Sequence, residues 1–454
     1  MFSRGFFVPA RRVNSISKSA IIEPLQPAPG KAARGDPHEA YLAIERFLKA
    51  SRKPVLMEPG DDPLPIASDT FALTRRRASV TIECWSVTRN LSRRVSGVKL
   101  ERPGRLELEV EHFGGRTGSL TLVDLDRTSN RDACRRGARL KYRERFRQSL
   151  HRQFPDWRVA ELSTEADLHH SLSPSFPRAL LRKGTTALAA IGAAEDSLSP
   201  DGVLSFGLIW LDYLRRRETR FIVEGLAIFL PAGMEHNTCH RVRHLDPQAA
   251  RYSVFIHDPQ GYEERVDPRD YTNLETRLDP YRQPLDGSRP KHVGDIEALL
   301  ESRIRGEIEA IDATLRTTPV YGQVPQFAGG HRSVIDLLAV DGDGRLAVIE
   351  IKADQDIHLP LQALDYWMRV KWHLDRGDFT SRGYFPGIPL RSEAPRLLLV
   401  APALEYHPTN EAVLRYFSRD TPVERLGVGV EWRRDLKVMF RSPVKSWPLL
   451  SSGR

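Results

Sequence analysis

The segment Val334 to Lys352, VIDLLAVDGDGRLAVIEIK, constrains this chain more than any other stretch. Two apolar runs flank Asp341-Gly342-Asp343-Gly344. Glycine tolerates the positive φ that tight turns need, so the spacing predicts a β-hairpin. Folding the runs about that turn and counting back sets Asp336 opposite Ile349 or Glu350, depending on loop length, so the Asp336 and Glu350 carboxylates can converge. Glu350 and Lys352 are two apart on one strand and point to the same face.

The placement is costly. Val348, Ile349 and Ile351 flank Glu350, and Val334, Ile335, Leu337 and Leu338 surround Asp336. Charges in such surroundings need a partner or a bound cation. A hard divalent ion such as Mg²⁺ or Mn²⁺ takes oxygen ligands and keeps waters. Asp336, Glu350 and the Ile351 carbonyl supply a donor set for it. Lys352 would then position or polarise a water and stabilise charge on a phosphate. The plainer alternative is a salt bridge from Lys352 to Asp336 or to Glu350. Gln362 and Tyr366 on the next helix can face the same cleft, and Tyr366, Trp367 and Trp372 either stack on bases or fill the core.

The rest of the chain sets the context. Its 454 residues imply two or three domains, and its 40% hydrophobic and 28% charged content is that of a soluble globular protein. No apolar run is long enough to span a membrane. A net charge of +9 favours polyanionic partners. Three cysteines, Cys84, Cys134 and Cys239, imply no disulfide framework and fit a reducing cytoplasm. No Walker loop or nucleophile elbow is present, and no internal repeat is apparent.

Residues 1–37 read as a disordered basic start, although Arg4, Arg11, Arg12 and Lys18 ahead of the first acid, Glu23, also resemble a transit peptide. Residues 38–285 read as one mixed α/β region: a helix from His38, a hairpin about Gly114-Gly115, a helix over 138–153 and buried strands at Phe221–Leu230 and Tyr252–Ile256. The 138–153 helix has an apolar stripe (Tyr142, Phe146, Leu150, Phe154) and a basic ridge (Arg139, Arg143, Arg147) suited to a phosphate backbone or to plain solvation. Arg215-Arg216-Arg217 is a weaker basic candidate. His236, Cys239, His240 and His244 match no zinc spacing. The Pro- and Arg-rich stretch 279–291 reads as a linker. Beyond it, residues 292–445 follow an αβββαβ order with one helix over 295–315 and another from Pro360.

Ile335-Asp336-Leu337-Leu338, Gly344 to Lys352, Gln362 and Tyr366 together resemble the PD-(D/E)xK nuclease superfamily, most closely the archaeal-type mismatch endonuclease branch. The resemblance covers roughly residues 293–402 and implies a restriction-endonuclease-like core with a mixed sheet flanked by helices. It also implies Asp336 and Glu350 as metal ligands, Lys352 as the catalytic lysine and Gln362 as its support. Ile335 stands where the superfamily name has proline. The superfamily takes a further glutamate from the first core helix. Of Glu297, Glu301, Glu307 and Glu309, Glu301 is the choice because it borders the apolar stripe at Leu300 and Ile304.

The expectation is therefore a cytoplasmic, divalent-metal-dependent endonuclease that hydrolyses DNA phosphodiesters in repair or genome defence. Its N-terminal region would serve substrate recognition or homodimerisation. RNA hydrolysis, or a non-catalytic nucleic-acid-binding or assembly role on the same fold, remain open from the residues.

Overall fold

The computed structural model describes residues 36–58, 63–76, 79–85, 90–111, 117–195, 202–281, 296–328 and 331–444. The basic start expected at 1–37 lies outside them except for its last two residues. The chain is mixed α/β and divides into two compact units between Cys134 and Arg135.

In the first unit, α1 (Pro37–Ala50) opens on an Asp36 cap, and a proline in its first turn suits the orphan amides there. Strands β1 (Pro54–Met57), β2 (Leu64–Pro65), β3 (Phe71–Arg76), β4 (Ser79–Trp85), β5 (Asn90–Arg102), β6 (Arg105–Glu111) and β7 (Thr117–Asp124) follow. They pair antiparallel in the order β2-β1-β7-β6-β5-β4-β3. Alternation along β4 and β6 turns Val80, Ile82, Leu106 and Leu108 onto Ala40, Ile44 and Phe47 of α1. The expected hairpin is β6–β7; its turn, 112–116, lies outside the described residues.

The second unit holds two sheets. α2 (Thr128–Gln153), whose range includes the division point, precedes β8 (Arg158–Ser163), β9 (Arg178–Lys183) and β10 (Thr186–Gly192). Then come α3 (Gly202–Arg217), β11 (Ile222–Pro231), α4 (Glu235–Val242), β12 (Arg251–His257) and β13 (Glu263–Val266). The sheet runs β8 to β13 in sequence order, with β10, β11 and β12 parallel and the outer pairs antiparallel.

The second sheet starts with the short β14 (Arg277–Leu278). After it come α5 (Ile296–Gly306), α6 (Ile308–Ile311), β15 (Tyr321–Ala328), β16 (His331–Val340) and β17 (Leu346–Ile351). α7 (Leu359–Asp375), α8 (Asp378–Ser381), β18 (Arg396–Pro402), α9 (Asn410–Leu414), β19 (Val423–Val428) and β20 (Val438–Pro443) close it. Here β17, β18 and β19 are parallel and the other pairs antiparallel. The helix expected over 295–315 is broken into α5 and α6 after Gly306, a residue with low helix propensity.

Two expectations change. The stretch 279–291 separates neither two sheets, since β14 before it already pairs with β15, nor two cores. Leu180, Leu208, Trp210 and Leu226 on one side of it share a single buried core with Leu338, Val348, Leu364 and Leu397 on the other. The compact division falls at 134/135 instead, because that shared core holds residues 135–278 and 296–444 together. The chain also contains a structural repeat that sequence similarity does not betray. Helix, three-strand meander, helix, parallel strand, helix, parallel strand, antiparallel strand occurs twice, from α2 to β13 and from α5 to β20.

Candidate active site

The turn behind the β16–β17 hairpin is built as the Asp-Gly-Asp-Gly run requires. Gly344 has φ +91°, and a side chain there would strike the Pro389 carbonyl oxygen at 2.2 Å. The Asp341 carboxylate accepts from the backbone amides of Asp343 (3.0 Å) and Arg345 (2.9 Å). The strands leave the turn in register, with Leu338 opposite Val348 and Leu337 opposite Ile349. One further step in that register sets Asp336 opposite Glu350. Of the two loop-length alternatives, this is the one that brings the carboxylates together.

Asp336 is fixed by the Ile351 amide, which donates to its Oδ2 at 2.8 Å. Burial pushes the Asp336 carboxyl up to about 6, despite the opposing pull of that amide and of Lys352. Glu350 is fully buried, on the same strand face as the core residues Leu346 and Val348. Neither of its carboxylate oxygens accepts a hydrogen bond among the described residues. Lys352 Nζ lies 3.3 Å from Glu350 Oε1, close enough for an ion pair but without hydrogen-bond alignment. Burial, and then the neighbouring Asp336 charge, hold the Glu350 carboxyl well above the usual range.

Burial alone would lower the Lys352 ammonium. Glu350, Glu297 and Asp336 outweigh it and raise it, so this lysine is charged at neutral pH. It donates to Glu297 Oε1 at 3.0 Å. Gln362 Nε2 lies 3.3 Å from the Tyr366 hydroxyl, and that phenol is raised by burial and then by Glu350. α7 packs on β17, with Tyr366 near enough to Glu350 to feel its charge.

The glutamate of the first helix is divided between two residues. Glu301, the one chosen from sequence, is buried, and its Oε2 accepts from Gln323 Nε2 at 2.5 Å. Burial raises its carboxyl, and Asp336 adds to that rise. Glu297, one turn earlier on the same helix face, is the carboxylate that reaches Lys352. Sequence reasoning missed Glu297 as a partner of the lysine, although the i,i+4 spacing of the two acids was visible. It also missed Gln323, which sits at a positive φ of 52° in β15. Glu307 is drawn off to Arg303 at 2.8 Å.

Other candidates go elsewhere. Trp367 is core, its indole donating to the Pro395 carbonyl at 2.7 Å, and Trp372 lies under the Arg376 guanidinium. Arg215 donates to the carbonyls of Val223 and Ala249, Arg216 pairs with Asp212, and Arg217 pairs with Glu161 and Glu218, so the arginine triplet is structural. On the α2 ridge, Arg147 pairs with Glu144 and Arg143 donates to the Leu162 carbonyl. Burial pushes the Cys239 thiol up to about 12, which makes it a poor zinc ligand.

Among the described residues no three His, Cys, Asp or Glu side chains gather as a ready metal cage. The two acids of the hairpin are nonetheless the donor chemistry a hard cation takes, and neither Glu350 oxygen is taken up by an aligned hydrogen bond among the described residues. No protein-family model matches the chain, and no curated protein matches it. No helix of the described residues is long and apolar enough to cross a membrane.

Proposed function

We propose that residues 296–444 are a PD-(D/E)xK-type nuclease half with a restriction-endonuclease-like core, and that the chain hydrolyses DNA phosphodiester bonds with Mg²⁺ or Mn²⁺. The observation that carries this reading is Glu350. It is a fully buried acid set opposite Asp336, with the Lys352 ammonium 3.3 Å from its Oε1. Burying two facing acids and an ammonium costs more than well-packed apolar residues would, and a cation shared by the two acids accounts for that cost.

Asp336, Glu350, the Ile351 carbonyl and Glu301 would hold the ion. When bound, the ion supplies an acidified water and charge neutralisation at phosphate. The chain's own residues do the rest. The Ile351 amide orients Asp336. Burial would lower the Lys352 ammonium, but Glu350, Glu297 and Asp336 outweigh it and favour the charged form. That ammonium orients the nucleophilic water and offsets the charge that grows on the phosphate oxygens. Gln362 and Tyr366 would face the same acids from α7. A place in DNA repair or genome defence belongs to the same reading.

Supercoiled plasmid and matched RNA, each with Mg²⁺ or Mn²⁺, test it with wild type and Lys352→Ala. Cleavage by wild type that is lost in the variant is the expected result. Equal binding by both proteins with no cutting removes the enzyme reading. One observation favours a second reading, a non-catalytic nucleic-acid-binding or assembly protein: Lys352 already has two carboxylate partners, as a purely structural ion cluster would.

A further inference from the structure

The two sheets of the second unit correspond strand by strand and residue by residue. In the later half, Leu338 pairs with Val348, Val348 with Leu397 and Leu397 with Val423. In the earlier half, Leu180 pairs with Ala189, Ala189 with Leu226 and Leu226 with Tyr252. The same side of each hairpin faces the shared core. Past the strand end the match continues: the Lys352 amide donates to the Val400 carbonyl at 3.0 Å, and the Ala193 amide to the Phe229 carbonyl at 2.9 Å.

The halves also meet as the two members of a symmetric dimer do. α3 packs on α9, and its counterpart α7 packs on α4. Leu245 and Phe417, each just beyond the equivalent helix, form an isolated antiparallel bridge. On either side of it Ser418 N donates to the His244 carbonyl and Asp246 N to the Tyr416 carbonyl, both at 2.8 Å. One bond becomes the other on exchanging the halves, which is the signature of a local two-fold axis.

This register assigns the counterparts of the site. Arg178 pairs with Ile191, so Arg178 stands where Asp336 does, Ile191 where Glu350 does, and Ala193 where Lys352 does. None is an oxygen donor. Arg178 is buried with its guanidinium 5.5 Å from the Trp210 ring, and a fixed cation there repels a second one. The first helix differs too. α5 balances Glu297 and Glu301 with Arg303 and Arg305, whereas α2 carries nine Arg or Lys and two acids, a composition suited to phosphate contact.

We propose that residues 135–278 are a catalytically blank second copy of the 296–444 half, so that one chain is a built-in pseudo-dimer with a single metal centre and cuts one strand of a duplex. The inference rests on the nuclease reading above. The two strands of B-DNA are related by two-fold axes, and a two-fold pair of halves addresses one strand with each. Only one half here can bind the ion.

The test uses the full chain. Mn²⁺ titration followed by electron paramagnetic resonance should give one ion per wild-type chain and none for Glu350→Gln. Supercoiled plasmid should accumulate as open circle, with linear DNA arising only after many independent nicks, under conditions where the protein sediments as single copies. Two ions per chain, or linear DNA as the first product, overturns the single-centre proposal and leaves the nuclease reading standing. One bound ion without any open circle removes strand cutting. No ion and no cleavage overturn the nuclease reading, and this inference with it.

Discussion

The halves 135–278 and 296–444 share strand order, strand sense and inter-strand register, yet they differ in what they place at one spot on the hairpin. The blank half puts Ile191 and Ala193 there, both buried and apolar. The later half puts Glu350 and Lys352 there at a cost in desolvation, since burial raises the carboxyls of Asp336 and Glu350. The scaffold is specified by apolar patterning and packing, which tolerate many side chains, whereas the charged cluster occupies only three of the matched positions.

The largest expected effect tests that difference directly. Lys352→Ala or Glu350→Gln should lower the cleavage rate by roughly 10²–10³-fold or more, the cost of losing one preorganised charge-stabilising group. Duplex affinity, measured by fluorescence anisotropy in Ca²⁺, should change little. If the variants cut as well as wild type, the asymmetry between the halves has no chemical meaning.

Much of the later half was legible in sequence, and little of the earlier one. The hairpin could be read because the Asp-Gly-Asp-Gly turn narrows the register to two alternatives, and the charged residues stand out against apolar strands. The choice among the α5 acids could not, because Glu297 and Glu301 share a face and only tertiary packing decides which one meets Lys352. The repeat was invisible because Arg178, Ile191 and Ala193 match Asp336, Glu350 and Lys352 in place and not in type. α3 went unread for a related reason: it is buried on nearly every side, so no polar face marks its period, and only its terminal arginines drew notice. The boundary near 279–291 misled because linker composition says nothing about which cores the flanking strands share.

The joint between the halves should show the next largest effect. Arg241 on α4 grips Asp365 on α7 through two bonds of 2.9 and 2.7 Å, with both groups buried. Arg241→Ala leaves the Asp365 carboxylate without this partner and should cost about 3–5 kcal/mol, read as a fall in the urea midpoint. Arg241→Met with Asp365→Leu should recover much of that loss. If the single variant is neutral, the two halves are not coupled through this pair.

One carboxyl in each half, Glu195 and Asp336, should respond to acid with opposite signs. In the blank half, burial would raise the Glu195 carboxyl, but His257, a backbone amide and Arg145 prevail and hold it down to about 2. Its contribution is fully present above its ordinary value near 4.5 and is lost as pH falls toward 2. Asp336 is raised from 3.8 to about 6, so in EDTA its contribution is present below 3.8 and lost as pH climbs through 6. Thermal melts of Glu195→Gln should flatten the first window and melts of Asp336→Asn the second. A wild-type profile untouched by either variant would contradict both assignments.

The smallest effect sharpens the comparison most, because it separates fold from chemistry at equivalent places. Ile191→Val removes one methyl group from the shared core at the counterpart of Glu350. It should cost about 0.5–1.5 kcal/mol by lost transfer energy and residual cavity, a modest drop in melting temperature. It touches neither carboxylate nor ammonium, so cleavage per folded molecule and the Mn²⁺ stoichiometry should stay as in wild type. A large loss of cleavage from so slight a change, with the fold intact, would mean that the blank half shapes the metal site through the core the two halves share. The two copies would then have to be regarded as one centre distributed over both hairpins.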